Sequence, residues 1–356
     1  MKLVFDLTTP KTTLLFHRLG DALRKRGHEV LYVSREYRES NALQKMLRME
    51  VEILGRHGGA ERASKAFASA GRQAELLRFL LRESPDVVVC LSSVEASRAA
   101  YGLGIPIACF NDLPEAEHTA RLTIPLATVV LAPHLIPAVA YERLAAKRVF
   151  RYRSLDPLAW LDGRDREPSS GAGQHGRTVV FREEESEAAY LAGLASMLPD
   201  AVNALAERHP DWRFVGVPRY SPDRLRERLR GANVAVLAEV VDSAALLAGA
   251  DLFLGGGGTM NIEAAYFGTP TICCRPIACA YETWLIEQGL AFRPRELTVA
   301  AVTRMAEELV GRRVDAANLR DMRFPTGELL DEIEAVAGAG QSRPARRAGI
   351  AGELND

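Results

Sequence analysis

Four consecutive glycines, at positions 255–258, join a short apolar run to a helical pattern that begins near Thr259. Glycine permits positive φ and lets a ligand approach the backbone closely. The first turn of a helix offers unpaired N–H groups and a partial positive charge, which together suit a diphosphate. Thr259 is a suitable N-cap residue, and Glu263, one helical turn further, could accept two ribose hydroxyls. The alternative is that the glycines only form a tight turn between a strand and a helix.

Two common nucleotide-binding motifs are excluded by the spacing around these glycines. No GKS or GKT sequence follows them, so the segment is not a Walker A loop. It also lacks GxGxxG spacing, and the turn after the first predicted strand, at residues 6–13, contains no glycine. A dinucleotide-binding fold is therefore disfavoured.

A second group of polar side chains follows the first predicted strand. Asp6 could serve as a general base there, while Thr8, Thr9 and Lys11 could contact a substrate. The carboxyl ends of parallel strands are where open α/β sheets bind their ligands, which favours a functional role for this loop. A strand-terminal aspartate also commonly caps the following turn, so a structural role for Asp6 stays open.

The richest polar cluster of the first half follows the apolar run at residues 105–110. Its candidates for acid–base chemistry are Asp112, Glu115 and His118. Pro114 suits the first position of a helix, and a helix that begins there would place Glu115 and His118 on one face. The alternative is ordinary N-terminal helix charge, which the helix dipole favours.

The bulk composition is that of an ordinary globular protein and excludes several classes of partner. The 45 basic and 46 acidic side chains nearly cancel, so no net field would draw the chain to nucleic acid or to an anionic membrane. No run approaches the ~18 apolar residues of a transmembrane helix. Five cysteines, of which Cys273 and Cys274 are adjacent, do not suggest a disulfide framework, so a cytoplasmic location is expected. No zinc-site spacing is present, and no protein-built metal site is expected.

A chain of 356 residues favours two domains, because a single core rarely grows beyond ~250–300 residues. Short apolar runs alternate with helical patterns in both halves, which is typical of parallel sheets covered by helices. The pattern predicts a first domain at residues 1–162, a polar linker at 163–176, a second domain at 177–337 and a disordered tail at 338–356. A surface loop inside one large domain is the alternative for the linker. The predicted strands are Lys2–Leu7, Glu29–Val33, Val51–Leu54, Asp86–Leu91, Ile105–Phe110, Thr128–Ala132, Thr178–Phe181, Trp212–Val217, Asn233–Leu237, Asp251–Gly255 and Thr269–Cys274.

The segment GGGGTMNIEAAYFGTPTI resembles the signature of domain-of-unknown-function family 354, a prokaryotic group related to GT-B glycosyltransferases and to UDP-GlcNAc 2-epimerase. The segments FDLTTPK, NDLPEAEHTARLTIPLATVVLAP and VDSAALLAGADLF fit the family in the same order along the chain. The resemblance implies an α/β fold of the GT-B type, in which two doubly wound Rossmann-like domains face a central cleft. The family often carries histidines in its first loop, where this sequence has Thr12, Thr13 and Leu14, so a catalytic histidine is not expected there.

The resemblance further implies that the glycine-rich segment binds the substrate, with the diphosphate on Gly257, Gly258 and Thr259 and the ribose on Glu263. Arg182, at the end of the second domain's first strand, could pair with phosphate or could be an ordinary surface arginine. Asp242 and Ser243 open a predicted helix, and an N-cap is favoured there over contact with the nucleotide base. The remaining members of the predicted binding segment are Gly256, Met260 and Asn261.

The resulting functional hypothesis is a metal-independent glycosyltransferase of the cytoplasm that needs no cofactor beyond its nucleotide-diphosphate sugar substrate. The first domain would present an unknown acceptor, and the second would hold the donor. Two alternatives stay open: an epimerase-like enzyme that acts on the nucleotide sugar alone, and a nonenzymatic protein that binds nucleotide sugars. No nucleic-acid partner and no transmembrane segment are expected.

Overall fold

The computed structural model describes residues 1–59, 61–164, 176–184, 196–276 and 279–340. Its contacts divide the chain into two compact units. The first unit comprises Met1–Trp160 and the segment from Phe324 onward, and the second comprises Leu161–Arg323. Most of the predicted linker, residues 165–175, lies outside the described residues.

The first unit is built on a seven-stranded parallel sheet with the strand order β3-β2-β1-β4-β5-β6-β7. The strands are β1 (Lys2–Leu7), β2 (Glu29–Glu36), β3 (Glu52–Arg56), β4 (Val87–Leu91), β5 (Ile107–Phe110), β6 (Val129–Pro133) and β7 (Val149–Tyr152). The helices are α1 (Pro10–Lys25), α2 (Arg38–Met46), α3 (Arg62–Glu83), α4 (Val94–Gly102), α5 (Glu117–Thr123), α6 (Ala138–Glu142) and α7 (Leu158–Leu161), with a 3₁₀ turn at Ile124–Leu126.

The second unit contains a five-stranded parallel sheet with the strand order β10-β9-β8-β11-β12. The strands are β8 (Thr178–Arg182), β9 (Arg213–Val217), β10 (Val234–Val236), β11 (Leu252–Gly255) and β12 (Thr271–Cys273). The helices are α8 (Leu198–Arg208), α9 (Pro222–Arg226), α10 (Ser243–Ala248), α11 (Thr259–Tyr266), α12 (Ala280–Glu287), α13 (Val299–Leu309) and α14 (Ala317–Asp321).

Strands β4 and β5 of the first sheet and β11 of the second are continuous apolar runs, which is the pattern of strands whose two faces are both covered by helices. In the first sheet, β4 reads VVVCL and β5 reads IACF, and all but the last residue of β4 are buried. In the second sheet, Leu252 and Leu254 of β11 pack with Leu198, Val202 and Leu205 of α8. The predicted strands are confirmed within a few residues at their ends, and β7 is an additional strand that was not predicted.

The last helix, α15 (Thr326–Gly340), packs against the first unit through contacts with α1, β4 and β5. Its apolar face buries Leu329, Leu330 and Ile333, and the Arg26 guanidinium lies 2.7 Å from Asp331. The second domain was predicted to extend to residue 337, so the position of this helix differs from the prediction. The physical reason is that α15 covers an apolar face of the first sheet. The predicted tail, 338–356, begins inside the helix, and residues 341–356 lie outside the described residues. No described helix has the length and apolarity needed to cross a membrane.

Candidate functional site

The glycine-rich turn joins β11 to α11 in a conformation that only glycine adopts readily. Gly257 has φ +98° and Gly258 has φ +95°, in the left-handed region. The N-cap is Gly258 rather than Thr259, which is the first helical residue. Gly258 and Thr259 are partly exposed, whereas Gly256 and Gly257 are buried. The exposed part of the turn is therefore the start of α11, as a diphosphate site requires.

Close packing explains why no side chain could replace the buried glycines. A Cβ on Gly256 would lie 2.3 Å from the Glu184 nitrogen, and a Cβ on Gly257 would lie 2.8 Å from Cδ of Arg275. Gly258 differs, because a Cβ there would meet only the Arg219 guanidinium, at 3.6 Å. The tight-turn interpretation thus accounts for Gly256 and Gly257, while Gly258 opens toward an arginine.

The turn lies at the point where the strand order of the second sheet reverses. β8 and β11 are neighbours in the sheet, and their register places Gly255 opposite Arg182. The Gly256 N–H donates to the Arg182 carbonyl at 2.9 Å, and Nη1 of Arg182 lies 3.4 Å from Sδ of Met260. Open α/β sheets bind ligands at such a switch point. The structure therefore brings Arg182, Gly256 and Met260 together at the switch point between β8 and β11.

Two further arginines surround the turn and were not predicted. Arg219 follows β9, and its guanidinium donates to the carbonyls of Gly257 and Glu183, each at 3.3 Å. Arg275 follows β12, is 6% exposed, and packs its aliphatic stem beside Gly257. Both residues come directly after predicted strands of the second half, which is the signal that could have found them. Three arginines, Arg182, Arg219 and Arg275, therefore lie close to the turn.

Glu263 is held by a residue of a neighbouring helix. Its carboxylate is 1% exposed, and one oxygen accepts a 2.6 Å hydrogen bond from the Ser243 hydroxyl. Ser243 is the first residue of α10, and Asp242 caps that helix by accepting from the Ala244 N–H at 3.1 Å. The N-cap interpretation of Asp242 is confirmed. The bond from Ser243 to Glu263 was not predicted, because it joins residues 20 positions apart.

The side chain of Asn261 is completely buried beneath the turn and is not exposed to solvent at the start of α11. Its Nδ2 donates to Oε1 of Glu282 at 3.0 Å and contacts Sγ of Cys273 at 3.4 Å. Burial raises the pKa of Glu282, and the nearby Arg275 opposes that shift. Among the described residues, Oδ1 of Asn261 and Oε2 of Glu282 have no hydrogen-bond partner. The predicted substrate contact of Asn261 is thus replaced by contacts that position the glycine turn.

Asp6 forms a buried ion pair in the first unit, in place of the predicted base. Its two oxygens lie 3.1 and 2.5 Å from Nη1 and Nη2 of Arg72, and both side chains are almost completely buried. Arg72 also donates from Nε to the Leu54 carbonyl at 3.0 Å. With both oxygens on a buried guanidinium, Asp6 has a structural role.

Lys11 bridges two carboxylates at the carboxyl end of the first sheet. Its Nζ lies 2.6 Å from Oδ2 of Asp112 and 2.5 Å from Oδ2 of Asp156. The Tyr152 hydroxyl donates to the other oxygen of Asp156. Burial alone would lower the pKa of Lys11, but the two carboxylates outweigh burial and raise it. Lys11 and Asp112, both predicted, therefore lie in one cluster with Asp156, which was missed because it follows the unpredicted strand β7.

The two threonines of the first loop are engaged by the protein itself. Thr9 is the N-cap of α1 and forms a capping box with Thr12, in which the Thr9 N–H donates to the Thr12 hydroxyl at 2.9 Å. Thr8 is buried, and its carbonyl lies 3.4 Å from Nη2 of Arg35. Substrate contact by Thr8 and Thr9 stays a prediction.

The segment that contains Glu115 and His118 differs from its predicted conformation. Helix α5 begins at Glu117 rather than at Pro114. A turn precedes it, in which the Leu113 N–H donates to Oδ1 of Asn111 at 3.2 Å. Glu115 and His118 therefore do not share a helix face, and both are exposed. Among the described residues, Lys11 pairs with Asp112 and Asp156 and not with Glu115.

The part of the chain that the structure describes contains no group of three or more His, Cys, Asp or Glu side chains that could hold a metal ion. The metal independence of the reaction stays a prediction.

The sequence of the chain matches a protein family and one further protein over most of its length. The model of a family described as "Protein of unknown function (DUF354)" matches residues 1–333. The chain is 26% identical over 338 residues to the uncharacterized protein MJ0665 of Methanocaldococcus jannaschii, with 92% of this chain and 96% of that protein covered.

Solved structures of nucleotide-sugar enzymes share the fold. The S. aureus MnaA–UDP co-structure matches with a TM-score of 0.73 at 14% identity, over 97% of this chain and 99% of that one. The UDP-GlcNAc 2-epimerase of Neisseria meningitidis bound to UDP-GlcNAc gives 0.72 at 13% identity, over 94% and 100%. The glycotransferase of kitacinnamycin gives 0.55 at 17% identity, over 96% and 97%.

These similarities confirm the predicted fold class, because two parallel-sheet α/β units match GT-B proteins over almost their whole length. At this level of identity the similarity establishes the fold and leaves the reaction open. The family match spans both units, and the chain therefore belongs to the DUF354 family of proteins of unknown function.

Proposed function

We propose that this protein is a metal-independent glycosyltransferase that takes its sugar from a nucleoside diphosphate sugar bound on the second unit. One observation carries the proposal. The partly exposed start of α11 at Gly258 lies beside the Arg219 guanidinium, at the switch point of a parallel sheet. This combination of a helix N-terminus and an arginine suits a diphosphate.

The diphosphate would accept hydrogen bonds from the first N–H groups of α11 and from Arg219. Both sources of positive charge are fixed before the ligand arrives, since Arg219 is held by the carbonyls of Gly257 and Glu183. Preorganised donors of this kind cost little reorganisation when a charge develops near them. Arg182, next to the turn in the sheet, adds a further positive charge.

The ribose would be bound by Glu263, one helical turn after Thr259. The hydrogen bond from Ser243 fixes the orientation of the Glu263 carboxylate. A carboxylate accepts hydrogen bonds only, which matches the hydroxyl donors of a ribose. Ser243 is thus a positioning residue for Glu263.

Glycosyl transfer breaks the bond between the anomeric carbon and a diphosphate oxygen and forms a bond to an acceptor oxygen. Negative charge grows on the leaving diphosphate as the first bond breaks, and Arg219 with the α11 N-terminus would stabilise it. The acceptor hydroxyl must lose its proton. Asp112 is the candidate base, because its side chain is 21% exposed and Lys11 holds it through Oδ2, whereas the buried Arg72 holds both oxygens of Asp6.

Arg219→Gln should weaken the binding of a nucleoside diphosphate by about tenfold or more. A hydrogen bond to a charged group contributes roughly 1.5–3 kcal/mol, and about 1.4 kcal/mol corresponds to a tenfold change in affinity. Isothermal titration of the wild type and the variant measures the difference. The matched control is Arg208→Gln, which removes an exposed arginine of α8 paired with Glu307. Equal affinity of the Arg219 variant and the control would contradict the diphosphate site.

An epimerase-like enzyme is the second candidate, supported by the match to the UDP-GlcNAc 2-epimerase of Neisseria meningitidis. Incubation with nucleotide sugars alone separates the two reactions. Acceptor-dependent release of the nucleoside diphosphate supports transfer, whereas a changed sugar without any acceptor, seen by proton NMR, supports epimerisation.

A further inference from the structure

We propose that Arg35 forms an anion-binding subsite of the first unit, which binds the carboxylate or phosphate group of a small molecule. Arg35 lies at the carboxyl end of β2, beside β1 and the loop that follows it. Ligands of parallel sheets bind at this edge. No role was predicted for Arg35, and it lies outside the nucleotide-binding turn of the second unit.

The hydrogen-bond donors of Arg35 are largely unused. The guanidinium has five N–H donors, of which Nη2 reaches the Thr8 carbonyl at 3.4 Å. Nε is buried and has no hydrogen-bond partner among the described residues. The Arg35 guanidinium also lies over the Tyr37 ring, with Cζ 6.0 Å from the ring centre. This contact with the face of the ring uses none of the N–H donors of the guanidinium.

Nearby carboxylates do not neutralise this guanidinium by direct pairing. Within the described ranges, no carboxylate oxygen lies within ion-pair distance of Arg35. Asp6 gives both oxygens to Arg72, and Glu95 lies 3.8 Å from Nη1 of that same arginine. Burial lowers the pKa of Arg35, Glu95 opposes the shift, and Arg72 adds to it.

Arg72 shows what a structural arginine looks like in this unit. It is fully buried, forms a two-pronged ion pair with Asp6, and satisfies its Nε with the Leu54 carbonyl. Arg35 is half-buried and close enough to feel the charge of Arg72, yet among the described residues it has neither an ion pair nor a partner for Nε. Partial burial of a charge without a partner is costly, so a bound anion is the arrangement that would complete the site.

The chemical class of the ligand follows from the geometry of guanidinium. Its planar fork binds two oxygens of one carboxylate or phosphate group. If the protein is a glycosyltransferase as proposed, the ligand is the acceptor, which would then carry an acidic group. That last step rests on the proposed function, whereas anion binding by Arg35 does not.

Arginine modification by phenylglyoxal, mapped by peptide mass spectrometry on the full chain, tests the subsite directly. Inorganic phosphate and acetate serve as separate probes, each compared with chloride at equal ionic strength. We expect one probe to slow the modification of Arg35 by about tenfold at ~10 times its dissociation constant. Protection by phosphate or by acetate identifies the group that the site binds. Arg82, an exposed arginine paired with Glu52 and Glu83, should react at the same rate throughout.

Equal modification of Arg35 in phosphate, acetate and chloride would overturn the subsite. If Arg35 does not react at all, thermal denaturation decides: the anion must raise the melting temperature of the wild type more than that of Arg35→Gln. Both readouts concern Arg35 itself, so they are independent of nucleotide binding on the second unit. If no nucleotide binds but phosphate or acetate still protects Arg35 from phenylglyoxal, the proposed function is rejected and the anion-binding subsite stands.

Discussion

Gly257→Ala should weaken the binding of a nucleoside diphosphate by roughly tenfold to hundredfold. A residue other than glycine held at φ +98° carries strain of about 1–3 kcal/mol, which the free variant relieves by moving the turn and which binding must then restore. Each ~1.4 kcal/mol restored in this way costs a factor of ten in affinity. The new Cβ would also lie 2.8 Å from Cδ of Arg275 and 3.3 Å from Oε1 of Glu282, so the turn must shift. Isothermal titration with the best-binding nucleotide measures the loss.

The matched control for this variant is Gly71→Ala. Gly71 lies within α3 in the first unit, and a Cβ there would meet nothing within 4 Å. Alanine is favoured over glycine in a helix by about 1 kcal/mol, so this variant should be slightly more stable and bind nucleotide normally. Unchanged affinity in Gly257→Ala would show that the conformation of the turn does not matter for binding.

Arg72→Met should lower the free energy of unfolding of the first unit by about 3–5 kcal/mol. The change removes the partner of Asp6 and leaves a carboxylate with 0% exposure uncompensated. Urea denaturation, followed by a probe of the first unit, measures the loss. The double variant Asp6→Leu/Arg72→Met should recover most of it, because apolar side chains of similar size can replace a buried ion pair.

Arg82→Ala is the control for the buried pair. Arg82 forms exposed ion pairs with Glu52 and Glu83, and exposed pairs contribute less than ~1 kcal/mol. A loss of similar size in Arg72→Met and Arg82→Ala would mean that the Asp6 pair is not a structural centre, and the catalytic interpretation of Asp6 would regain support.

The fold could be predicted where local sequence determines it. β4 and β5 are continuous apolar runs, which is the pattern of strands buried on both faces. β7 was missed because it is an edge strand with one buried residue, so its pattern is weak. The packing of α15 on the first unit was also missed, since chain order says nothing about which sheet a terminal helix covers.

The candidate site shows the same division between local and long-range information. The glycine turn is contained in one stretch of chain, and its position between a strand and a helix was predictable. Contacts between residues that are distant in the sequence were not predictable. Asp6 meets Arg72 across 66 positions, and that partner turns a candidate base into half of a buried ion pair. Arg219 likewise reaches Gly257 across 38 positions.

Nucleotide binding by the second unit is tested most directly by thermal denaturation with UDP, GDP, CDP and dTDP and their common sugar conjugates. The panel is run on the wild type, on Glu263→Ala and on the exposed control Glu296→Ala. A ligand at ~100 times its dissociation constant adds about 2.7 kcal/mol of stability, which raises the melting temperature clearly. We predict that one nucleotide class stabilises the wild type and the control but not Glu263→Ala. The absence of a shift with every nucleotide would contradict the proposal that this turn binds a nucleoside diphosphate sugar.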